Sequence, residues 1–166
     1  MHSTHRRLNL VGVIAALATA IAIALPSAPA SAATNWHPTS TPRWVVKACR
    51  TGTAICIDKS IHRLAYVKNG KTLLLLDARF GDAAHPTREG TFSVYYKDAT
   101  HVSHEYGSSM PYSMFFSGGE AIHFSIDFFT YGYAHNSHGC VNIRDYNGVK
   151  WLFNHTPIGT KVVIYH

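Results

Sequence analysis

Arg63-Leu64-Ala65-Tyr66-Val67-Lys68-Asn69-Gly70-Lys71-Thr72-Leu73-Leu74-Leu75-Leu76-Asp77-Ala78-Arg79-Phe80 reads as two strands folded back on one another. Asn69-Gly70 is a dipeptide favoured in two-residue hairpin turns, where both central positions need positive φ. The return arm, residues 72 to 80, is nearly continuous in apolar side chains. A strand with one wet face would alternate, so this one is expected to be covered on both faces.

Strand signal recurs on either side of the hairpin. Ala54-Ile55-Cys56-Ile57-Asp58 precedes it. Thr91-Phe92-Ser93-Val94-Tyr95-Tyr96, Ser113-Met114-Phe115-Phe116, Glu120-Ala121-Ile122-His123-Phe124 and Lys161-Val162-Val163-Ile164-Tyr165 follow. Residues 81 to 90 read as a loop. Residues 97 to 111 are polar, hold His101, His104, Gly107 and Pro111, and read as a long surface loop of a length often used for lids. One helix is expected, with Asp145 as N-cap and Tyr146, Val149, Leu152 and Phe153 on one face. The class is mainly β with one short helix, and no repeat runs through it.

Residues 1 to 32 follow a different logic. A basic start with Arg6 and Arg7 leads into an apolar run over residues 8 to 25, then Pro26 and the end Ala28-Pro29-Ala30-Ser31-Ala32. That order is the signature of a cleaved secretory signal, with the cut after Ala32. The apolar run approaches the length of a membrane span, but the prolines and the Ala30-Ser31-Ala32 site favour cleavage over a retained anchor. Leu8-Asn9-Leu10 fits twin-arginine export poorly, which favours the general secretory route. A secreted protein is expected. Residues 33 to 43, rich in Pro, Ser and Thr, read as a linker. Residues 44 to 166 read as one domain with a core of its own.

The chain carries 15 Lys and Arg against 9 Asp and Glu, and setting aside Arg6 and Arg7 leaves a balance of +4. Such an excess suits anionic polymers outside the cell. The cations are scattered, with no run or basic helix face, so nucleic acid is not an expected partner. Cysteine usage says more. In an oxidising compartment thiols tend to pair, and Cys49 and Cys56 flank the short stretch Arg50-Thr51-Gly52-Thr53. They either close a disulfide or stay as two buried thiols. Cys140 is the cysteine left over.

A cysteine nucleophile needs a base within reach, because the thiolate is the attacking species. His123 closes one strand, and Ser137-His138-Gly139-Cys140-Val141-Asn142 opens the next after a connecting loop. Adjacent strands would bring His123 to Cys140. Gly139 lets the backbone approach a substrate closely, and N–H groups around Gly139 and Cys140 are placed to bind an oxyanion.

The string from His123 to Asn142 resembles the signature of the L,D-transpeptidase (YkuD) family: a His, a spacer, then Ser/Thr-His-Gly-Cys, a hydrophobic residue and Asn or Arg. Pro86-Thr87-Arg88-Glu89-Gly90-Thr91-Phe92 resembles the stretch ahead of that family's active-site strands. The segment from Tyr106 to Phe116 resembles its lid, and Ile158-Gly159-Thr160-Lys161-Val162-Val163-Ile164 its closing strand.

The resemblance implies a compact β-sandwich-like catalytic domain, needing no cofactor or metal, that works on peptidoglycan in the cell wall. Cys140 would attack the third residue of a stem tetrapeptide, releasing D-Ala and leaving a thioester. An amine of a neighbouring stem would resolve it into a 3-3 cross-link. His123 would move the protons, oriented by the Phe124 carbonyl. His138, with Ser137 and Gly139, would shape the nucleophile loop and its oxyanion donors. Tyr106, Met110 and Tyr112 are lid candidates, and Asn142 and Arg144 would brace the loop or meet a substrate carboxylate. Carbapenem β-lactams are expected covalent inhibitors.

Three rivals stand beside this. Water attacking the same thioester would make an L,D-carboxypeptidase. A non-catalytic wall-binding module would need neither Cys140 nor His123. A zinc site over His123, His135, His138 and Cys140 lacks the usual paired-ligand spacing.

Overall fold

The computed structural model describes residues 35, 36 and 38 to 166. The expected secretory signal lies outside the described residues. The strands are β1 (Asn35–Trp36), β2 (Thr53–Asp58), β3 (Arg63–Lys68), β4 (Lys71–Arg79) and β5 (Gly90–Ser93). They continue as β6 (Tyr96–Val102), β7 (Ser109–Ser117), β8 (Glu120–Phe124), β9 (Val141–Ile143) and β10 (Lys161–Tyr165). Two α-helices, α1 (Ile126–Tyr131) and α2 (Tyr146–His155), interrupt them. The order across the sheet is β5-β10-β2-β3-β4-β9-β8-β7-β6, with β1 against β4.

The opening hairpin is the hinge of this architecture. Asn69 and Gly70 take φ of 48° and 77°, the left-handed pair that a tight two-residue turn requires. β4 runs antiparallel to β3 for most of its length, then hands its last residues, Ala78 and Arg79, to β9. It therefore joins the two halves of the sheet. Covered on both faces, as its composition predicts, it alternates between two cores. Leu74, Leu76 and Ala78 enter the large core with Ile55, Ile57, Leu64, Val162 and Ile164, while Leu75 joins Ala54, Cys56, Ala65 and Val67 on the other side. Each fully buried Leu or Ile contributes about 1.5–3 kcal/mol relative to exposure.

The smaller core is closed by the segment leading into β2. Val45 and Cys49 are buried there, and Cys49 is disulfide-bonded to Cys56, with Cα atoms 5.8 Å apart. The described part of the expected linker, residues 35, 36 and 38 to 43, is tied to the domain. β1 pairs with Leu74 and Leu75, and Thr41 Oγ1 donates to the Gly70 carbonyl at 2.6 Å while accepting from Thr72 N–H at 3.1 Å. Prolines signal irregular backbone, but β4 still has backbone groups to satisfy, and this segment satisfies them.

The expected loop over residues 97 to 111 is for the most part a strand pair. β6 and β7 pair from Tyr96–Phe115 to Val102–Ser109, which leaves only residues 103 to 108 as the connection. β6 is the edge of the sheet and neither face is fully buried, so hydrophobic periodicity could not announce it. α2 starts where expected, with the Asp145 carboxylate accepting from Gly148 N–H at 2.7 Å and Val149 and Leu152 in the core. α1 is an addition to the expected single helix. Ser125 caps it through Phe128 N–H, and Phe128 is its one buried side chain, too little to write a periodic pattern.

Candidate active site

β8 and β9 lie parallel, with Ile122 opposite Val141, His123 opposite Asn142 and Phe124 opposite Ile143. β9 also pairs with β4, Arg79 opposite Asn142. Side chains alternate faces along each strand, so these registers sort the residues. Ile122, Val141 and Ile143 point into the large core. Arg79, Asn142 and His123 form a lateral row on the opposite face, and Cys140 falls beside Ala121 in the next row. Arg79, His123, Asn142 and Cys140 all line one open cleft of about 1040 Å³.

Cys140 is delivered by a tight turn. The Ser137 N–H donates to the Phe80 carbonyl at 2.9 Å, and Ser137 Oγ donates to the Cys140 carbonyl at 2.6 Å. Gly139 has φ 107°, a conformation L side chains rarely adopt, and a Cβ there would sit 3.4 Å from Glu120 Cγ. A second glycine is required across the turn: a Cβ on Gly81 would lie 1.8 Å from the His85 carbonyl oxygen and 2.9 Å from Gly139 N. Ser137 and Gly139 thus act as frame. His138 is exposed instead, with its ring stacked on Tyr106 at 4.5 Å and edge-on to His85 at 5.1 Å.

His123 is 6 % exposed. Its Nδ1 lies 2.6 Å from the Phe124 carbonyl and its Nε2 3.0 Å from Asn142 Nδ2. Burial lowers its pKa from 6.5 to about 4, which the Phe124 carbonyl partly opposes and the charges of His101 and Arg79 reinforce. Burial also raises the Cys140 thiol, with the Glu120 carboxylate adding to the rise and a hydrogen bond from Ala121 N–H opposing it. Glu120 is itself raised by burial and is held by Arg88, through the backbone N–H at 3.2 Å and Nε at 3.6 Å. Both shifts favour the uncharged forms, so at neutral pH Cys140 rests as the thiol and His123 as the neutral imidazole.

The remaining sequence-predicted residues divide. Tyr106 stands at the cleft rim and is 49 % exposed. Met110 is buried against Phe115 and Ala121, with Cys140 packed on the same cluster. Tyr112 does not line the cleft. It packs on Tyr146 and Phe153 of α2, its hydroxyl 3.2 Å from that of Tyr146. Arg144 is also elsewhere: it pairs with Asp77, which Arg63 shares, and lies over Phe128 and Tyr133. It falls four residues beyond Cys140, roughly 13 Å along an extended chain. Its nearness in sequence is therefore no nearness in space. Among the described residues no group of three or more His, Cys, Asp and Glu could hold a metal ion.

The model of the L,D-transpeptidase catalytic domain, YkuD, matches residues 52 to 164. The chain belongs to the L,D-transpeptidase family. An L,D-transpeptidase from Stackebrandtia nassauensis has the same fold at 28% identity and TM-score 0.65, over 70% of this chain and 57% of that one. One from Xylanimonas cellulosilytica is also 28% identical, with TM-score 0.62, over 69% and 61%. The fold recurs at 23% identity and TM-score 0.62 in LD transpeptidase LdtMt1, solved in complex with imipenem, over 69% and 59%. The chain thus spans less than two thirds of the length of these relatives. No curated protein matches it in sequence.

Two residues of this L,D-transpeptidase domain were missed in the sequence reading. Arg79 ends an apolar strand and Glu120 begins another; each is buried and lines the cleft. A charged residue inside an apolar run was the available clue.

Proposed function

We propose that this chain is a secreted cysteine acyltransferase of the cell wall that joins peptidoglycan stem peptides through 3-3 cross-links. The observation that carries it is the placing of His123 on β8 and of Cys140 just ahead of the neighbouring β9, both lining one open cleft. The Cys140 Sγ–H gives its proton to His123 Nε2 as sulfur attacks the carbonyl carbon of the third stem residue. The C–N bond to the terminal D-Ala breaks, the departing amine takes that proton, and a thioester remains. An amine from an acceptor stem then attacks and passes its proton to His123. The C–S bond breaks, and the thiolate recovers the proton.

Neutral resting partners suit this order, since the sulfur becomes charged only when a carbonyl is present to receive it. The framed turn at Gly139 supports the oxyanion. Tyr106 and Met110 bound the cleft where a stem would lie, and the family relation supports carbapenems as acylating inhibitors.

Intact mass of the protein after incubation with imipenem tests the nucleophile. Wild type should gain one covalent adduct and Cys140→Ala none; absence of an adduct on folded, reduced wild type would sink the assignment. Product analysis with a tetrapeptide donor then separates the cross-linked dimer expected here from the tripeptide that an L,D-carboxypeptidase would release.

A further inference from the structure

The cleft holds a cation that no step above uses. Arg79 is 2 % exposed, and every bond it makes is local to the base. Its Nη1 donates to the Gly132 carbonyl at 3.0 Å, and its Nη2 donates to Asp127 Oδ2 at 2.6 Å and to Asn142 Oδ1 at 3.0 Å. The guanidinium lies over the Phe128 ring at 5.1 Å, and Nε has no partner in the described structure. A buried guanidinium with an unmet N–H is a costly way to tie down a loop, so its direction of action matters more than its strength.

That direction follows from hydrogen-bond inventory. Arginine only donates. The Asn142 atom facing Arg79 must then be the carbonyl oxygen, which turns the amide nitrogen toward His123. An amide nitrogen also only donates, so His123 Nε2 must accept, and its proton must reside on Nδ1, where the Phe124 carbonyl receives it at 2.6 Å. Each link leaves the next one choice. We propose that Arg79 is a positioning residue whose donor-only fork, relayed by Asn142, keeps an amide N–H rather than an amide oxygen on His123 Nε2, while the Phe124 carbonyl holds the proton on Nδ1. This rests on His123 being the base.

A corollary concerns timing. The Nε2 lone pair that must take the Cys140 proton is held at rest by the Asn142 amide. Proton uptake displaces that N–H, because two donors cannot share one acceptor site. The base is therefore capped until a substrate makes the exchange worthwhile. The charges facing His123 work in the same sense. Arg79 on β4 and His101 on β6 both oppose a second positive charge, and Cys140 in the same cleft is held as thiol by burial and by Glu120. Asp127 of α1 balances Arg79 and also binds His135 Nδ1 at 2.9 Å.

The test is nitrogen NMR of 15N-histidine-labelled protein across pH, with kcat and KM measured alongside. Wild type should show His123 as pure Nδ1–H tautomer well below pH 6, and an Nε2–H tautomer there would overturn the proposal. In Arg79→Met the amide is free to turn its oxygen to Nε2 while the Phe124 carbonyl keeps Nδ1–H, which favours the imidazolium, so the His123 midpoint should rise and kcat near pH 5 should fall about tenfold with KM little changed. Arg79→Lys, which keeps charge and donor, should recover most of that loss. A merely structural role for Arg79 would lower the melting temperature and leave the His123 midpoint unmoved, which also overturns it. Should Arg79→Met fail to fold, Asn142→Asp stands in. Its carboxylate satisfies Arg79 but can only accept from His123, so the titration midpoint and the acid limb of kcat/KM should rise together by two pH units or more. An unmoved midpoint refutes the relay. The imipenem adduct, read on the same samples, reports Cys140 independently, so a failed relay and a failed enzyme assignment are told apart.

Discussion

Acidification of the protein is the perturbation with the most definite consequence. His123 is held near a pKa of about 4 in the fold against 6.5 in its ordinary state. The unfolded chain therefore takes up a proton as pH drops through 6.5, and the folded chain takes it up only near 4. Stability attributable to His123 is complete above pH 6.5 and is lost as pH falls toward 4. The gap of roughly 2.5 units corresponds to about 3 kcal/mol in full, of which about 2 kcal/mol is gone by pH 4.5. Urea unfolding of wild type and His123→Gln at pH 7.5 and 4.5 isolates this share, because other groups titrate in both proteins. Wild type should lose about 2 kcal/mol more than the variant between those pH values. Activity carries the same signature. The acid limb of kcat/KM for acylation should lie between about pH 4 and 5, as the free base must be unprotonated to act. An acid limb near 6.5, with equal pH dependence of stability in the two proteins, would refute the buried neutral base.

Other perturbations give separate readings. Gly139→Ala forces a side chain into φ 107° against Glu120, so it should cost about 1–3 kcal/mol in melting experiments and slow imipenem acylation. Cys49→Ser with Cys56→Ser opens a loop with sequence separation 7, which should lower stability by about 2.5 kcal/mol and the melting temperature by about 10 °C, with acylation at 25 °C retained. Tyr106→Ala removes the ring stacked on His138 at the cleft rim; KM for a stem donor should rise several-fold with kcat nearly constant. A collapse of kcat instead would assign His138 orientation to Tyr106 rather than substrate contact.

How much of this was legible in the sequence depended on distance along the chain. The hairpin at Asn69-Gly70 and the helix beginning at Asp145 are local events, governed by backbone sterics and a cap, and both were readable. The turn that carries Cys140 was readable as a turn because Ser137, Gly139 and Cys140 lie within one short stretch. Arg79 was not, since its partners Asp127, Gly132 and Asn142 arrive from 48 to 63 residues away. Nothing in an isolated strand says which strand will lie beside it. Edge strand β6 escaped for another reason: with little to bury, its composition matches that of a loop. Tyr112 and Arg144 show the converse error, in which adjacency to motif residues stands in for a shared face. Tyr112 has φ 59° and packs on the α2 side, while Arg144 is drawn to Asp77.

β10 is made after β1 to β9, yet it lies between β5 and β2 inside the sheet, parallel to β2 and antiparallel to β5. On a ribosome this ordering acts as a clock. Until residues 161 to 165 emerge, β2 presents a bare edge, β5 has no neighbour, and Val162 and Ile164 are missing from the large core. Completion of the native sheet is thereby deferred until β10 has left the exit tunnel, and until then the open edge of β2 is free to pair with a wrong partner.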